Sequence, residues 1–231
     1  MVLILPGPPG VRDHHPTLAG GTVDGGENDR TGIRTWKDRP MTAALQSDLP
    51  PEGGWTTDDL DALPEDGHRR ELLDGVLLVS PSPTRIHQTI AARLTVALED
   101  DCPDEYDVTQ AVEVRIGRSR SFIPDVLVTT AEAAARNPSH YRPHEVVLVV
   151  EIVSPSTRSI DRVLKPALYA QAGIPFFWRV EVSDDGLVVH THRIDPVDEV
   201  YTETGRWTKV VDTGEPFPVN LPIARIMPRG R

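Results

Sequence analysis

The chain has 231 residues, 39% of them hydrophobic and 26% charged, with a formal net charge of −11. That length suits one large or two small domains, and the apolar share is too high for a wholly disordered chain. No run of about 18 apolar residues could span a bilayer. The single cysteine, Cys102, excludes a disulfide framework and a cysteine-based zinc site, and the acidity argues against a protein that coats nucleic acid non-specifically.

Residues 1–40 carry seven Gly, five Pro and ten charged residues with no apolar period, which predicts a disordered N-terminal tail. Met1 to Leu5 is too short and lacks the basic start of a signal peptide, so a cytoplasmic location is expected. The tail's five bases and five acids cancel, which leaves the whole −11 on a single domain over 41–231, its core at about 55–200.

Thr56 or Thr57 caps a short helix that Pro64 ends. A hairpin follows, Arg70–Leu73 and Val76–Val79 around Asp74-Gly75. Ser82-Pro83 reads as the start of a helix with Ile86, Ile90, Leu94, Ala97 and Leu98 on one face. Strands are expected over Val108–Ile116, Phe122–Val128 and Val146–Val153, with a short helix over Thr130–Arg136. A helix over Arg158–Ala172, interrupted by Pro166 and closed by Gly173, leads to a hairpin of Phe176–Val182 and Leu187–Ile194. A last strand is expected over Trp207–Val211. This order predicts an α/β fold, a mixed sheet flanked by helices.

Two charges stand out. Glu151 interrupts an otherwise apolar strand, sharing a face with Val147, Val149 and Val153, and Asp125 shares a face with Ile123 and Leu127. An unpaired carboxylate in such a place costs several kcal/mol, roughly, and two would repel. A divalent cation relieves both, and carboxylate ligands favour Mg²⁺ or Mn²⁺ over zinc. Lys165 and Tyr169 lie one turn apart on the next helix, and Lys165 suits a partner that orients water, helps deprotonate it or steadies phosphate charge. Glu71 reads either as approaching this cluster or as pairing with Arg69 or Arg70 at the surface. Glu113 reads as solvent-facing. Arg115, Arg118 and Arg120 surround one turn that could hold a nucleic-acid backbone. His190 and His192 read as surface residues, and His140 and His144 as non-helical between Pro138 and Pro143. Ser154, Ser156 and Thr157 suit turns. Cys102, among acids, is an unlikely nucleophile.

Glu71 to Gly75, Ser80 to Pro83 with His87, Pro124 to Val128, Val150 to Thr157, and Asp161, Lys165 and Tyr169 to Pro175 with Trp178 occur in one order. Together they resemble the Uma family of restriction-endonuclease-like proteins, within the PD-(D/E)XK nuclease superfamily, over about residues 55–200. The resemblance implies an α/β/α core with a central mixed sheet that binds Mg²⁺ (or Mn²⁺) and cuts DNA. It implies Asp125, Glu151 and the Ile152 carbonyl as metal ligands, Lys165 and Glu71 as further catalytic residues, and His87 as a nucleic-acid contact. The lysine that the superfamily places two residues after Glu151 is Val153 here, and Lys165 takes its place. A homodimer is expected by analogy. The alternative is a catalytically inactive nuclease-fold module that binds nucleic acid or protein, motivated by the acidity and the displaced lysine.

Overall fold

The computed structural model describes residues 3–4, 50–80, 82–153, 160–183 and 186–229. The expected tail, the start of the helix at Arg158, and Ser154, Ser156 and Thr157 therefore lie outside the described residues, apart from Leu3–Ile4. That pair forms a two-residue strand, β1, antiparallel to Leu78 and Val79, and so departs from the structureless tail expected there.

Helix α1 (Thr57–Ala62) starts on a reciprocal cap: Thr56 accepts from the Asp59 amide, and Asp59 accepts the Thr56 amide at 2.8 Å. Strands β2 (Arg69–Leu73) and β3 (Val76–Ser80) turn at Asp74 and Gly75, both at positive φ as a two-residue hairpin requires. Helix α2 (Arg85–Glu99) is capped by Thr84 rather than Ser82; the Thr84 hydroxyl reaches the His87 amide at 3.4 Å, and Pro83 sits in the entering chain. Its apolar stripe buries Ile90, Ala91, Leu94, Ala97 and Leu98.

Two expected strands are each divided between two sheets. Val108–Ile116 becomes β4 (Tyr106–Thr109) and β5 (Glu113–Gly117), separated where Ala111 takes a φ of +56°. Phe122–Val128 becomes β6 (Arg120–Phe122) and β7 (Val126–Thr130), and Pro124, with no amide to donate, falls in the break. Helix α3 (Ala131–Ala135), capped by Thr130, and β8 (His140–Tyr141) precede β9, which occupies Val146–Val153 as expected.

A π-helical turn over Ile160–Leu164 then passes into α4 (Lys165–Gln171), with Pro166 in the first turn of α4, where its missing amide is not needed. Gly173, at φ +80°, closes the helix. Strands β10 (Phe176–Ser183) and β11 (Gly186–Asp195) form the expected hairpin. The expected strand at 207–211 is instead the end of β12 (Val200–Trp207) and the start of β13 (Val210–Thr213); β14 (Val219–Pro222) and α5 (Ile223–Ile226) follow.

The central sheet has the order β12-β11-β10-β9-β7-β4, mixed because β9 and β10 run parallel while their neighbours pair antiparallel. One face packs on α2: Val126, Val128, Leu148, Val150, Ile152, Trp178, Val180 and Val189 meet Leu94 and Leu98 in one core. The other face packs on α4, where Leu127, Val149 and Phe177 meet Leu168 and Tyr169. This is the expected α/β/α arrangement. A second sheet, β1-β3-β2-β6-β5-β8, lies on the α4 side and adds Val114 and Phe122 to that core. Phe177 and Trp178 are core residues. The α2 core reaches past residue 200, taking in Val211, Phe217, Val219, Leu221, Ile223 and Ile226.

Candidate active site

Four elements bring charge to one buried place. Asp125 stands at the mouth of β7, where its amide donates to the Val150 carbonyl, and Glu151 points to the α4 face because its neighbours Val150 and Ile152 face α2. The hairpin strand β2 delivers Arg69 and Glu71, and α2 delivers His87. The π-turn and α4 deliver Asp161, Lys165 and Tyr169. Glu71, Asp125, Glu151, Asp161 and Lys165 are all 2–5% exposed.

The contacts are specific. Lys165 Nζ lies 2.9 Å from Glu71 Oε1, 3.1 Å from Glu151 Oε1 and 3.9 Å from Asp161 Oδ1. Tyr169 donates its hydroxyl to Glu151 Oε1 at 2.8 Å. The Ile123 amide donates to Glu71 Oε1 at 2.8 Å. Asp125 accepts from the Ile152 amide at 2.7 Å through Oδ2, which also lies 3.1 Å from His87 Nε2; its Oδ1 lies 3.2 Å from Arg69 Nη1. Arg69 also donates to the Ile123 carbonyl and lies 3.7 Å from Glu71.

Burial pushes the Glu151 carboxyl up to about 8; Lys165 pulls it down, while Asp125, Asp161 and Glu71 add to the rise. Burial acts the same way on Asp125, but His87, Arg69 and the Ile152 amide outweigh it and hold that carboxyl below its ordinary value. Burial disfavours the Lys165 ammonium, yet Glu151, Glu71 and Asp161 more than compensate and keep it protonated. Lys165 is thus held as an ammonium among three acids. Burial, then Glu151 and Glu71, hold the Tyr169 phenol well above its usual range.

Among the described residues Glu71, Asp125, Glu151 and Asp161 gather around Arg69 and Lys165, with His87 beside Asp125. In donor chemistry the pocket fits one hard divalent cation, with oxygen ligands from Asp125 and Glu151. Among the described residues no three Asp, Glu, His or Cys side chains converge as a formed metal cage. Their oxygens are turned onto Lys165, Arg69, Tyr169 and His87, so a cation entering here displaces one of those partners.

Of the residues expected from sequence, Asp125, Glu151, Lys165, Glu71 and His87 meet here, and Ile152 contributes its amide to Asp125. Glu71 joins the cluster and keeps Arg69 beside it, so both of its readings hold in part. Arg69 was missed: an arginine next to another at a strand start carries no sign of pointing inward. Asp161, within the quoted motifs, was given no role. Arg115, Arg118 and Arg120 lie elsewhere, each on a carboxylate: Arg115 on Asp61 and Glu113, Arg118 on Asp58 at 3.4 Å, Arg120 on Asp74. Glu113 is not solvent-facing but half-buried, bound by Arg115 and Ser121. His190 and His192 are not surface residues either: both are 9% exposed, with His190 Nδ1 2.8 Å from Glu203 and His192 Nδ1 3.2 Å from the Phe177 carbonyl. Burial, then Glu99, Asp107 and Glu105, push the Cys102 thiol up to about 11, consistent with an inert cysteine.

The family model of Uma2, whose description reads "Putative restriction endonuclease", matches residues 57–218. The chain belongs to this family. A crystal structure from Anabaena variabilis ATCC 29413, described as a putative nuclease belonging to DUF820, shares the fold at a TM-score of 0.58 and 18% identity, covering 74% of this chain and 96% of that one. Among curated proteins nothing matches. The nuclease-family fold carries the buried acid–lysine cluster described above. Among the described residues no helix is long and apolar enough to cross a membrane.

Proposed function

We propose that the chain is a Mg²⁺- or Mn²⁺-dependent endonuclease that hydrolyses phosphodiester bonds of DNA in the cytoplasm. The observation that carries this reading is the meeting of Asp125, Glu151, Glu71 and Lys165 in one buried pocket. Asp125, Glu151 and the Ile152 carbonyl would hold the cation, which supplies charge neutralisation at the phosphate and acidifies water.

Hydrolysis joins a water oxygen to phosphorus as the bond to the leaving alkoxide breaks; the water gives up one proton to solvent and the alkoxide takes one up from solvent to leave as an alcohol. Lys165, held by Glu71 and Glu151 and kept as an ammonium, donates a hydrogen bond to the attacking water or to a phosphate oxygen and stabilises the charge that develops. Glu71 and Tyr169 position Lys165 and Glu151. His87 and the Ile152 amide fix one oxygen of Asp125. Arg69 is the group to be displaced from Asp125 when the cation enters. A homodimer, whose copies would cut opposite strands, is the assembly proposed; sedimentation at the monomer mass overturns it.

Incubation of supercoiled and single-stranded DNA with Mg²⁺ or Mn²⁺ tests the reading. Nicking or cleavage is expected, and Asp125→Ala should lower the rate at least about a hundredfold, the scale of removing a group that stabilises transition-state charge. Equal rates for the variant and the parent overturn it. One observation favours an inactive nuclease-fold module that binds nucleic acid or protein: Arg69 and Lys165 already occupy the acids. Titration calorimetry with Mn²⁺ separates the two readings, since binding abolished by Glu151→Gln counts against the inactive module.

A further inference from the structure

A row of side chains leads away from Glu151 across the α4 face of the central sheet. Arg179 on β10 is the register partner of Glu151 on β9, His190 on β11 that of Arg179, and Arg206 on β12 that of His190. Register partners share a sheet face, so the four stand side by side, and at about 4.8 Å per strand the row is about 14 Å long.

Its charge is not spent internally. Arg162 of the π-turn and Arg179 share one carboxylate, Glu181, at 2.6 and 2.8 Å. Glu203 is taken by His190 at 2.8 Å and lies 3.9 Å from His192. Arg206 is exposed and has no carboxylate partner among the described residues. Arg162, Arg179 and Arg206 thus face Glu181 and Glu203, with Glu151 at the inner end of the row, so the unspent positive charge lies at the outer end, on Arg206. The turn at Arg115–Arg120 has the opposite balance, three arginines against Asp58, Asp61, Asp74 and Glu113. A metal does not suit the two histidines: both Nδ1 atoms are engaged, and the Arg179 row position lies beside His190.

We infer that the exposed arginines Arg206 and Arg162, backed by the half-buried Arg179, are the track on which the phosphodiester backbone of a polynucleotide lies as it leaves the acidic pocket, in place of the Arg115–Arg120 turn. The inference rests on the nuclease reading for its direction, which starts at Glu151. A length of about 14 Å lets two or three successive phosphates of one backbone meet guanidinium groups. The surface also answers the objection raised by a net charge of −11: a locally basic strip binds backbone on an acidic protein, weakly and with strong salt dependence.

The test is fluorescence anisotropy in EDTA with the full chain and fluorescein-labelled 20-mers of one sequence: duplex DNA, single-stranded DNA and RNA. Arg206→Glu and Arg162→Glu alter exposed side chains, and an unchanged thermal midpoint verifies the fold. Each should weaken binding of the preferred 20-mer about three- to tenfold at low salt, and the pair should reduce the slope of log K against log[salt] by about one to two. Arg118→Glu should stay within twofold of the parent. Equal weakening by Arg118→Glu and Arg206→Glu, or no binding of any of the three 20-mers, overturns the track. Cleavage of supercoiled DNA with Mn²⁺ separates this from the nuclease reading. Unchanged KM in Arg206→Glu sinks the track and leaves the nuclease standing, whereas weakened binding without any cleavage sinks the nuclease and leaves the track as a binding surface.

Discussion

The two faces of strand β9 are made by alternate residues of one short sequence, and they do opposite things. Val150 and Ile152 join a dry layer under α2, where the partners named in that core are apolar. Glu151, between them, faces a layer in which four acids, Lys165, Arg69 and Tyr169 hold one another. The apolar face supplies burial worth roughly 1.5–3 kcal/mol per large side chain. Buried charge generally contributes little or opposes folding. The polar patch around Glu151 is therefore held in place by the apolar packing about it, which on its own face includes Val149, Leu127 and Phe177, rather than by its own interactions.

Substitutions can separate the two faces. Lys165→Met strips three acids of their shared cation and should destabilise by about 3–5 kcal/mol at pH 8, less at pH 5 where Glu151 is protonated. Leu94→Ala should cost about 3–5 kcal/mol at both values, since it leaves only a cavity. Urea denaturation at the two values checks this, and parallel losses would erase the distinction. Next is Glu151→Gln. A carboxyl raised from 4.5 to about 8 binds its proton more tightly when folded, so its contribution is fully present below about pH 4.5 and is lost as pH rises towards 8. Stability of the variant should be flatter than the parent's over that window and should match or exceed it at pH 8. Asp125, held low, works in the opposite sense, with stability lost only as pH falls below its ordinary 3.8. Tyr169→Phe removes one buried hydrogen bond to a carboxylate and should cost about 1–2 kcal/mol in the same denaturation series. Smallest is Arg118→Ala, an exposed ion pair at 3.4 Å, expected within about 0.5 kcal/mol by thermal melting.

What could be read from the sequence follows from the same two faces. An isolated acid in an apolar strand is visible by inspection, and so Glu151, Asp125 and the full extent of β9 were legible. The Asp74-Gly75 hairpin and Gly173 were legible because a positive φ selects those residue types. The handover of the chain from one sheet to the other, at Ala111 and at Pro124, was not: alternating apolar residues look the same whichever sheet they enter. Arg69 and the buried pair His190 and His192 were also hidden. Arg69 is held by Asp125 and the Ile123 carbonyl, and His190 and His192 by Glu203, Phe177 and Tyr201, and contacts at such separation leave no local period. The carboxylate partners of the three turn arginines were hidden for the same reason, because Asp58, Asp61 and Asp74 come from distant elements to meet them.

The π-helical turn at Ile160–Leu164 makes Lys165 a matter of counting. Each residue of an α-helix advances 100° and 1.5 Å, so one residue more or fewer in this turn would swing Nζ to another side of α4. Pro166 has no amide with which the helix could re-form in the shifted frame. Val163, in the middle of the turn, is 70% exposed, so its side chain is replaceable. Between Ile160 and Lys165 the molecule thus tolerates a spelling error at Val163 better than an insertion or deletion: the length of this segment decides where Lys165 sits.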